Sequence, residues 1–242
     1  MLGILFDSNV YLGAVLPDHP WKRFIDQMMN HITNSSTTYE ACIVFKVRQE
    51  VKKVIKVKTN LISELYRQII NSFPNLDQPF SNDDLNELKC RFNTEIILLQ
   101  QKKDETHKLL LFIEDYLLSR IAQNPQSKNA LFYDCFEFFR NYDVQLQNTA
   151  RNYERQHNAT DISDPVDKLS KNKIDTIKNK LNLKNHSDAL ILASYIYYLQ
   201  SKQIKGVLLT FDFHDFLVNA SRIELDFPEV SIFRPSYLQC IL

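Results

Sequence analysis

The sequence predicts an α/β protein: a three-layer domain with a parallel sheet, built from both chain ends, and a large helical insertion between them. Short apolar runs typical of buried strands lie near the two termini. The long central part instead has apolar residues at the three- and four-residue spacing of helices. The 242 residues include only 3 glycines, which favours long helices over a loop-rich all-β fold.

The predicted strands are three continuous apolar runs, residues 2–6 (LGILF), 206–211 (GVLLTF) and 230–233 (VSIF). Each is too short for a helix, and unbroken apolar runs are typical of strands buried on both faces. The apolar spacing predicts helices over residues 40–73, 83–123, 128–156, 166–181 and 187–202.

The polar, turn-rich segment NATDISDP, residues 158–165, interrupts this helical pattern. We therefore expect an α/β domain from residues 1–55 and 166–242, and a helical insertion from residues 56–165.

Composition excludes several classes of protein. Lys plus Arg equals Asp plus Glu at 29 each, so any nucleic-acid surface must be a local patch. The 4 cysteines are scattered without a CxxC pair, which argues against a zinc knuckle and suits a reducing cytoplasm. Neither a signal peptide nor an apolar stretch of ~20 residues is visible, so we expect a cytoplasmic protein without a membrane segment.

Three aspartates stand where a parallel sheet would bring them together. Asp7 directly follows the first predicted strand, Asp212 follows the second, and Asp188 opens a strongly apolar helix. Ligand crevices of open parallel sheets lie beyond the carboxyl ends of the strands. Clustered carboxylates repel one another unless a hard cation such as Mg²⁺ or Mn²⁺ neutralises them. Each aspartate alone is also an ordinary helix cap, so the prediction rests on the set.

Three segments carrying these residues resemble PIN-domain nucleases, DSNVYLG at residue 7, HSDALILASY at 186 and VLLTFDFHDF at 207, and a fourth, VSIFRPSYL at 230, resembles their last strand followed by Pro. The resemblance covers about residues 1–50 and 170–240 and leaves the helical middle unmatched. It implies a PIN-like fold and an Mg²⁺- or Mn²⁺-dependent endoribonuclease. Asp7, Asp188 and Asp212 match the metal-binding, catalytic acids of the family, and Asn9 and Thr210 match supporting polar positions, with Ser8 a weaker candidate.

The resemblance also implies a fourth catalytic acid near the start of a helix after the second strand. Glu40 is the better match, although no clear strand precedes it, and Glu50 is the alternative. Asp215, three residues beyond Asp212, is either a further supporting acid or a solvated residue of a first helical turn. His186 and His214 flank two of the acids and would suit a softer metal, but loop histidines without a ligand role are the commoner case.

Lysines precede Asp188 closely in the sequence and are candidate phosphate contacts, namely Lys173, Lys178, Lys180 and Lys184. A solvated helix face explains such a run equally well. The aromatic stretch ALFYDCFEFFRNY has helical periodicity and is expected in a core rather than on a base-stacking surface.

The leading hypothesis is an endoribonuclease acting on RNA that is single-stranded or has unpaired regions. A homodimer or an inhibitory protein partner is compatible with it. The alternative is a catalytically inactive PIN-fold scaffold that binds RNA or protein. A phosphatase of another doubly wound fold would need a Gly-rich phosphate loop or a DxD motif, and this sequence shows neither.

Overall fold

The fold is given by a computed structural model that describes residues 1–16, 19, 21–34, 38–71, 73, 76–101, 107–123, 127–162 and 171–234. Five parallel strands form one sheet in the order β3-β2-β1-β4-β5. In chain order they are β1 (Leu2–Phe6), β2 (Tyr39–Ile43), β3 (Thr160–Asp161), β4 (Lys205–Leu209) and β5 (Val230–Phe233). The α/β class and the parallel sheet are therefore confirmed.

Helices account for most of the remaining described residues. They are α1 (Ser8–Val15), α2 (Lys22–Asn34), α3 (Phe45–Ile70), α4 (Asn82–Gln101), α5 (His107–Gln123), α6 (Lys128–Arg140), α7 (Tyr142–Gln156), α8 (Lys171–Leu181), α9 (His186–Lys202) and α10 (Ala220–Asp226). A π-helical turn, Phe213–Leu217, lies between β4 and α10. Some predicted features lie outside the described residues, namely residues 102–106 within a predicted helix, the predicted helix start at Val166, and the prolines Pro74 and Pro235.

The prediction of a helix beginning at Glu40 is wrong. Residues Tyr39–Ile43 form β2, which pairs with β1 so that Gly3 lies opposite Glu40. The apolar residues of this segment run into those of α3 without a break, so local spacing did not separate strand from helix. Pairing with β1 on one side and β3 on the other satisfies the extended backbone and decides its conformation.

Strand β3 was also not predicted. It lies within the polar segment 158–165 and pairs with the end of β2, with Cys42 opposite Thr160 and Ile43 opposite Asp161. Its two residues carry no apolar run, so only the neighbouring strand reveals it.

The chain divides into two compact units, one formed by Met1–Lys53 with Asn148–Leu242 and the other by Val54–Gln147. The chain thus re-enters the sheet-containing unit at Asn148, before the predicted residue 166. The end of α7 is tied into that unit by polar contacts. The Tyr11 hydroxyl donates to Glu154 Oε1 at 2.6 Å, and Arg48 Nη2 donates to Glu154 Oε2 at 2.8 Å. Arg48 also pairs with Asp161 of β3.

Helix α9 packs against the central strands through two glycines. A Cβ atom at Gly206 would lie 2.1 Å from the Tyr195 hydroxyl oxygen, and one at Gly3 would lie 3.0 Å from Leu199 Cδ2. The same hydroxyl oxygen lies 2.9 Å from the Gly3 carbonyl oxygen and 3.1 Å from that of Val207. The absence of a side chain at Gly3 of β1 and at Gly206 of β4 therefore allows α9 to approach the sheet closely.

The helical unit has an aromatic core of its own. Tyr66, Phe92, Phe132 and Phe139 are buried, and the Tyr66 hydroxyl donates to the Phe132 carbonyl oxygen at 2.8 Å. This confirms the expectation that the aromatics around residues 131–142 belong to a core, with Tyr133 as an exposed exception. Across the described residues, no helix has the combination of length and apolar content that a membrane span requires.

Candidate metal centre

The strand order reverses at the centre of the sheet. From β1 the chain moves outward to β2 and β3, and β4 then returns to the other side of β1. The carboxyl ends of β1 and β4 are therefore neighbours with connections leaving in opposite directions, which is where parallel sheets form ligand crevices. The Asp7 amide donates to the Leu209 carbonyl oxygen at 3.0 Å, so Asp7 and Thr210 stand side by side at this point.

Asp7 is held in place by two hydrogen bonds. Its Oδ2 accepts from the Thr210 hydroxyl at 2.7 Å, and its Oδ1 accepts from the Ser8 amide at 2.7 Å. The side chain is buried, with 4% of the residue exposed. Burial raises the pKa of Asp7 to about 6, against these two hydrogen bonds, and the nearby carboxylates of Asp212 and Glu50 raise it further.

Asp212 caps the π-helical turn that follows β4. Its Oδ1 accepts from the amides of His214 at 2.8 Å and Asp215 at 3.1 Å, while its own amide donates to the Thr210 hydroxyl oxygen at 2.9 Å. Thr210 thus links Asp7 directly to the loop that carries Asp212. The tight turn also brings Asp215 back towards the sheet edge.

Asp215 is 1% exposed and joins this turn to the loop before α9. Its Oδ1 accepts from the Lys184 amide at 2.8 Å, and its Oδ2 accepts from Asn185 Nδ2 at 3.2 Å. These bonds hold the start of α9 beside the turn. As a result, one carboxylate oxygen from each of Asp188, Asp212 and Asp215 lies within 4.8 Å of the others.

Asp188 lies in the first turn of α9 and is the member of the group with a buried carboxylate oxygen that lacks a hydrogen bond. Its Oδ2 is buried and has no hydrogen-bond partner. Burial raises the pKa of Asp188 to about 7, and the adjoining Asp215 carboxylate raises it further. The adjacent Asp7 carboxylate acts in the same direction.

These features fit a divalent cation. Several carboxylates share a small partly buried space, two of them hold protons more tightly than usual, and one buried oxygen lacks a donor. A hard cation bound by oxygen ligands would remove the repulsion and occupy the free oxygen. Asp188, Asp212 and Asp215 could hold such an ion directly, with Asp7 next to them.

The structure places Asp7 near Asp188 and Asp212, but the carboxylate oxygens within 4.8 Å of one another belong to Asp188, Asp212 and Asp215. Asp215, expected at most as a supporting residue, is therefore in the group that could hold a metal, and Asp7, expected as a ligand, lies beside that group. The signal for this was the i, i+3 spacing of Asp212 and Asp215, which places both on one side of a helical turn. The imidazoles of His186 and His214 are exposed, and His186 Nδ1 lies 3.7 Å from Asp175.

Glu40 does not join the acidic group. Glu40 lies in β2 opposite Gly3, and Gly3 precedes Asp7 by four residues along the chain. The Glu40 carboxylate instead accepts a hydrogen bond from the Thr160 hydroxyl at 2.7 Å. Glu50 of α3 takes the expected place, since it adds negative charge next to Asp7 and accepts a hydrogen bond from the Ser8 hydroxyl. Of the two candidates for a fourth acid, Glu50 thus lies beside Asp7 and Glu40 lies away from the acidic group.

Ser8, the weaker of the two candidates for a supporting residue, lies closer to the acidic group than Asn9 does. Ser8 is buried and connects α1 to Glu50, whereas the Asn9 side chain is exposed in the first turn of α1. The helical phase explains this, because consecutive residues of a helix point about 100° apart. Only one of the two can face the cluster, and sequence order alone does not say which.

The four candidate phosphate-binding lysines have different surroundings. Lys173, Lys178 and Lys180 lie on α8, and Lys184 lies in the loop before α9. Lys180 Nζ is 2.9 Å from Asp226 Oδ1 and lies over the Phe227 ring, so much of its charge is already paired. Lys184 supports the site through its backbone amide, which bonds to Asp215.

No known protein family, no curated protein and no solved structure matches this chain.

Proposed function

We propose that this chain is a Mg²⁺- or Mn²⁺-dependent endoribonuclease of PIN-like type, which hydrolyses RNA phosphodiester bonds at the acidic cluster. The observation that carries the proposal is the convergence of Asp188, Asp212 and Asp215 within 4.8 Å at the reversal point of a parallel sheet, with Asp7 alongside. Three of the four motifs that resemble PIN-domain nucleases contribute these same acids, in the same order along the chain.

When bound, the metal would supply positive charge opposite the phosphate and lower the pKa of a water molecule. The residues of the chain hold the ligands in position. Thr210 fixes the Asp7 carboxylate and the loop of Asp212, and Lys184 and Asn185 fix Asp215. By analogy with the family, water attacks phosphorus and the bond to the 3′ oxygen breaks, which leaves a 5′-phosphate and a 3′-hydroxyl.

Glu50 is the residue we expect to complete the acidic group. Its hydrogen bond from Ser8 and its charge beside Asp7 place it where a proton could be passed or a water oriented. A carboxylate close to a buried carboxyl group also keeps the site strongly negative, which favours a divalent over a monovalent cation.

Cleavage of labelled single-stranded and structured RNAs in Mn²⁺ or Mg²⁺ tests the proposal, with Asp7→Asn, Asp188→Asn and Asp212→Asn as inactivating changes. Asp175→Asn serves as the matched control, since Asp175 lies on the surface of α8 beside His186. We expect metal-dependent cutting by wild type and the control, and loss of on the order of 100-fold or more in the three variants. Cutting that persists in all three would refute the assigned site.

Absence of cutting together with absence of Mn²⁺ binding by calorimetry would instead favour the inactive PIN-fold scaffold. Mn²⁺ binding that disappears in Asp188→Asn, without cleavage of any RNA, would keep the metal centre and reject RNA as the substrate.

A further inference from the structure

Aromatic residues adjoin Asp212 in the sequence, and further rings pack against one of them. Phe211 and Phe213 are its immediate neighbours, so their Cα atoms are about 3.8 Å from that of Asp212. The indole of Trp21 stacks on Phe211, with ring centroids 4.9 Å apart and planes inclined by 13°. Phe24 extends the group, with its centroid 5.8 Å from that of Trp21. We call Trp21, Phe24, Phe211 and Phe213 the aromatic rim.

Much of this apolar surface faces solvent. Trp21 is 42% exposed, Phe24 45% and Phe213 56%, whereas most other aromatic residues of the described chain are buried or half-buried. Isolated exposed rings are ordinary on protein surfaces. Here Trp21 contacts both Phe24 and Phe211, and Phe213 follows two residues after Phe211, so the rings are grouped beside a candidate catalytic residue. Such apolar patches mark binding surfaces.

Two arginines adjoin members of the aromatic rim, one of them in the sequence and the other by direct contact. Arg23 is exposed between Trp21 and Phe24 in the sequence, and the Arg234 guanidinium lies over the Phe213 ring, 5.9 Å from its centroid. Aromatic rings with arginines beside them are complementary to a chain of flat bases linked by phosphates. An apolar protein partner would not require arginines at this surface. A paired duplex would offer no base for stacking, because its base faces are covered by neighbouring bases.

We infer that the aromatic rim is a stacking surface for the unpaired bases of a single nucleic-acid strand, next to the phosphodiester presented to the acidic cluster. This inference rests on the proposed function and defines its substrate as unpaired. Bases adjoining the reacting phosphate stack on Trp21 and Phe213, and Arg23 and Arg234 contact the neighbouring phosphates. A duplex, whose bases stack on one another, makes only the phosphate contacts.

The experiment uses Trp21 itself, because it is the 1 tryptophan of the chain and its emission reports stacking directly. The full-length Asp7→Asn variant, in which the proposed function predicts no cleavage, is titrated with a short single-stranded oligoribonucleotide. The same strand annealed to its complement and an abasic strand of equal length and charge are the controls. We expect quenching of Trp21 by the single strand and little by either control.

The substitutions Trp21→Leu and Phe213→Leu keep apolar bulk and remove the ring, and binding is followed by anisotropy of a labelled strand. Each change is expected to weaken binding by about tenfold, and Trp21→Phe is expected to restore most of the affinity. Tyr133→Leu, which removes an exposed ring from the helical unit, is expected to leave affinity unchanged.

The outcomes separate the two proposals. Quenching by the single strand without metal-dependent cleavage by wild type would support the stacking surface and reject the nuclease. Metal-dependent cleavage with unchanged binding in Trp21→Leu and Phe213→Leu would support the nuclease and overturn the stacking surface. Equal quenching by duplex or abasic strand, or none by any strand, would also overturn it, and the last result would assign the rim to a protein partner.

Discussion

Asp7 and Asp188 are held in surroundings that oppose their own ionisation. Burial is the main cause for both carboxyls, and neighbouring carboxylates add to it. Hydrogen bonds from Thr210 and the Ser8 amide keep the geometry of Asp7 fixed despite this cost. Such stored repulsion is common at functional sites, because the same groups become favourable once the ligand is bound.

The raised pKa values predict the pH dependence of stability in metal-free protein. Asp7 and Asp188 rise from 3.8 to about 6 and about 7, so between these values the folded state binds more protons than the unfolded state. The free energy of unfolding contributed by these groups therefore falls as pH rises from about 4 to about 7. Urea denaturation in chelator across this range should show a steeper decline for wild type than for Asp188→Asn. A parallel pH profile in the two proteins would contradict the assignment.

The location of Glu50 beside Asp7, and of Glu40 away from it, gives a second prediction at the residue scale. Glu50→Gln removes negative charge beside Asp7 and should lower metal-dependent cleavage by about 10- to 100-fold, the usual range for groups that orient metal ligands. Glu40→Gln removes the same charge from β2 and should leave cleavage within about twofold, since Glu40 bonds to Thr160 instead. Initial rates at saturating Mn²⁺ decide between them, and the opposite ranking would restore Glu40.

At the scale of elements, the position of α9 depends on one glycine in each of two strands, Gly3 in β1 and Gly206 in β4. The helix carries Asp188 in its first turn, and its Tyr195 occupies the space above Gly206. Any displacement of α9 from β1 and β4 therefore also displaces a proposed metal ligand.

Gly206→Ala is expected to destabilise the fold by about 1–3 kcal/mol, because the new methyl group would meet the Tyr195 hydroxyl oxygen at 2.1 Å and Leu199 at 2.7 Å. Gly3→Ala is the matched control on the adjacent strand, where the closest atom would be 3.0 Å away, and its effect should be smaller. Chemical denaturation of both variants measures the difference. An equal or larger loss in Gly3→Ala would show that α9 does not rest on β4 as described.

At the scale of the whole molecule, metal binding and folding should be coupled, since the four aspartates come from three separate parts of the sequence. Mn²⁺ at about 100 times its dissociation constant should stabilise the folded chain by about 2.7 kcal/mol. Because bound metal displaces protons, this gain should be larger at pH 8 than at pH 5.5. Thermal unfolding with and without Mn²⁺ tests it, with Asp188→Asn expected to lose the shift and Asp175→Asn to keep it.

The sequence by itself determined the class of fold, because the runs at Leu2–Phe6 and Val230–Phe233 are unbroken apolar segments whose burial leaves few alternatives to a strand. It also determined the positions of Asp7, Asp188 and Asp212 at strand and helix ends, which are local properties of the chain. The resemblance of their surrounding motifs to PIN-domain nucleases added an expected chemistry to these positions.

Only the tertiary structure decided which residues meet. Strands β2 and β3 exist because they pair with neighbours, and their own residues gave either a helical signal or none. Which of Glu50 and Glu40, and which of Ser8 and Asn9, lies in the acidic group depends on which side of a helix or strand faces Asp7. Contacts of this kind join residues distant in sequence, so their geometry is fixed by packing across the sheet and not by any local pattern.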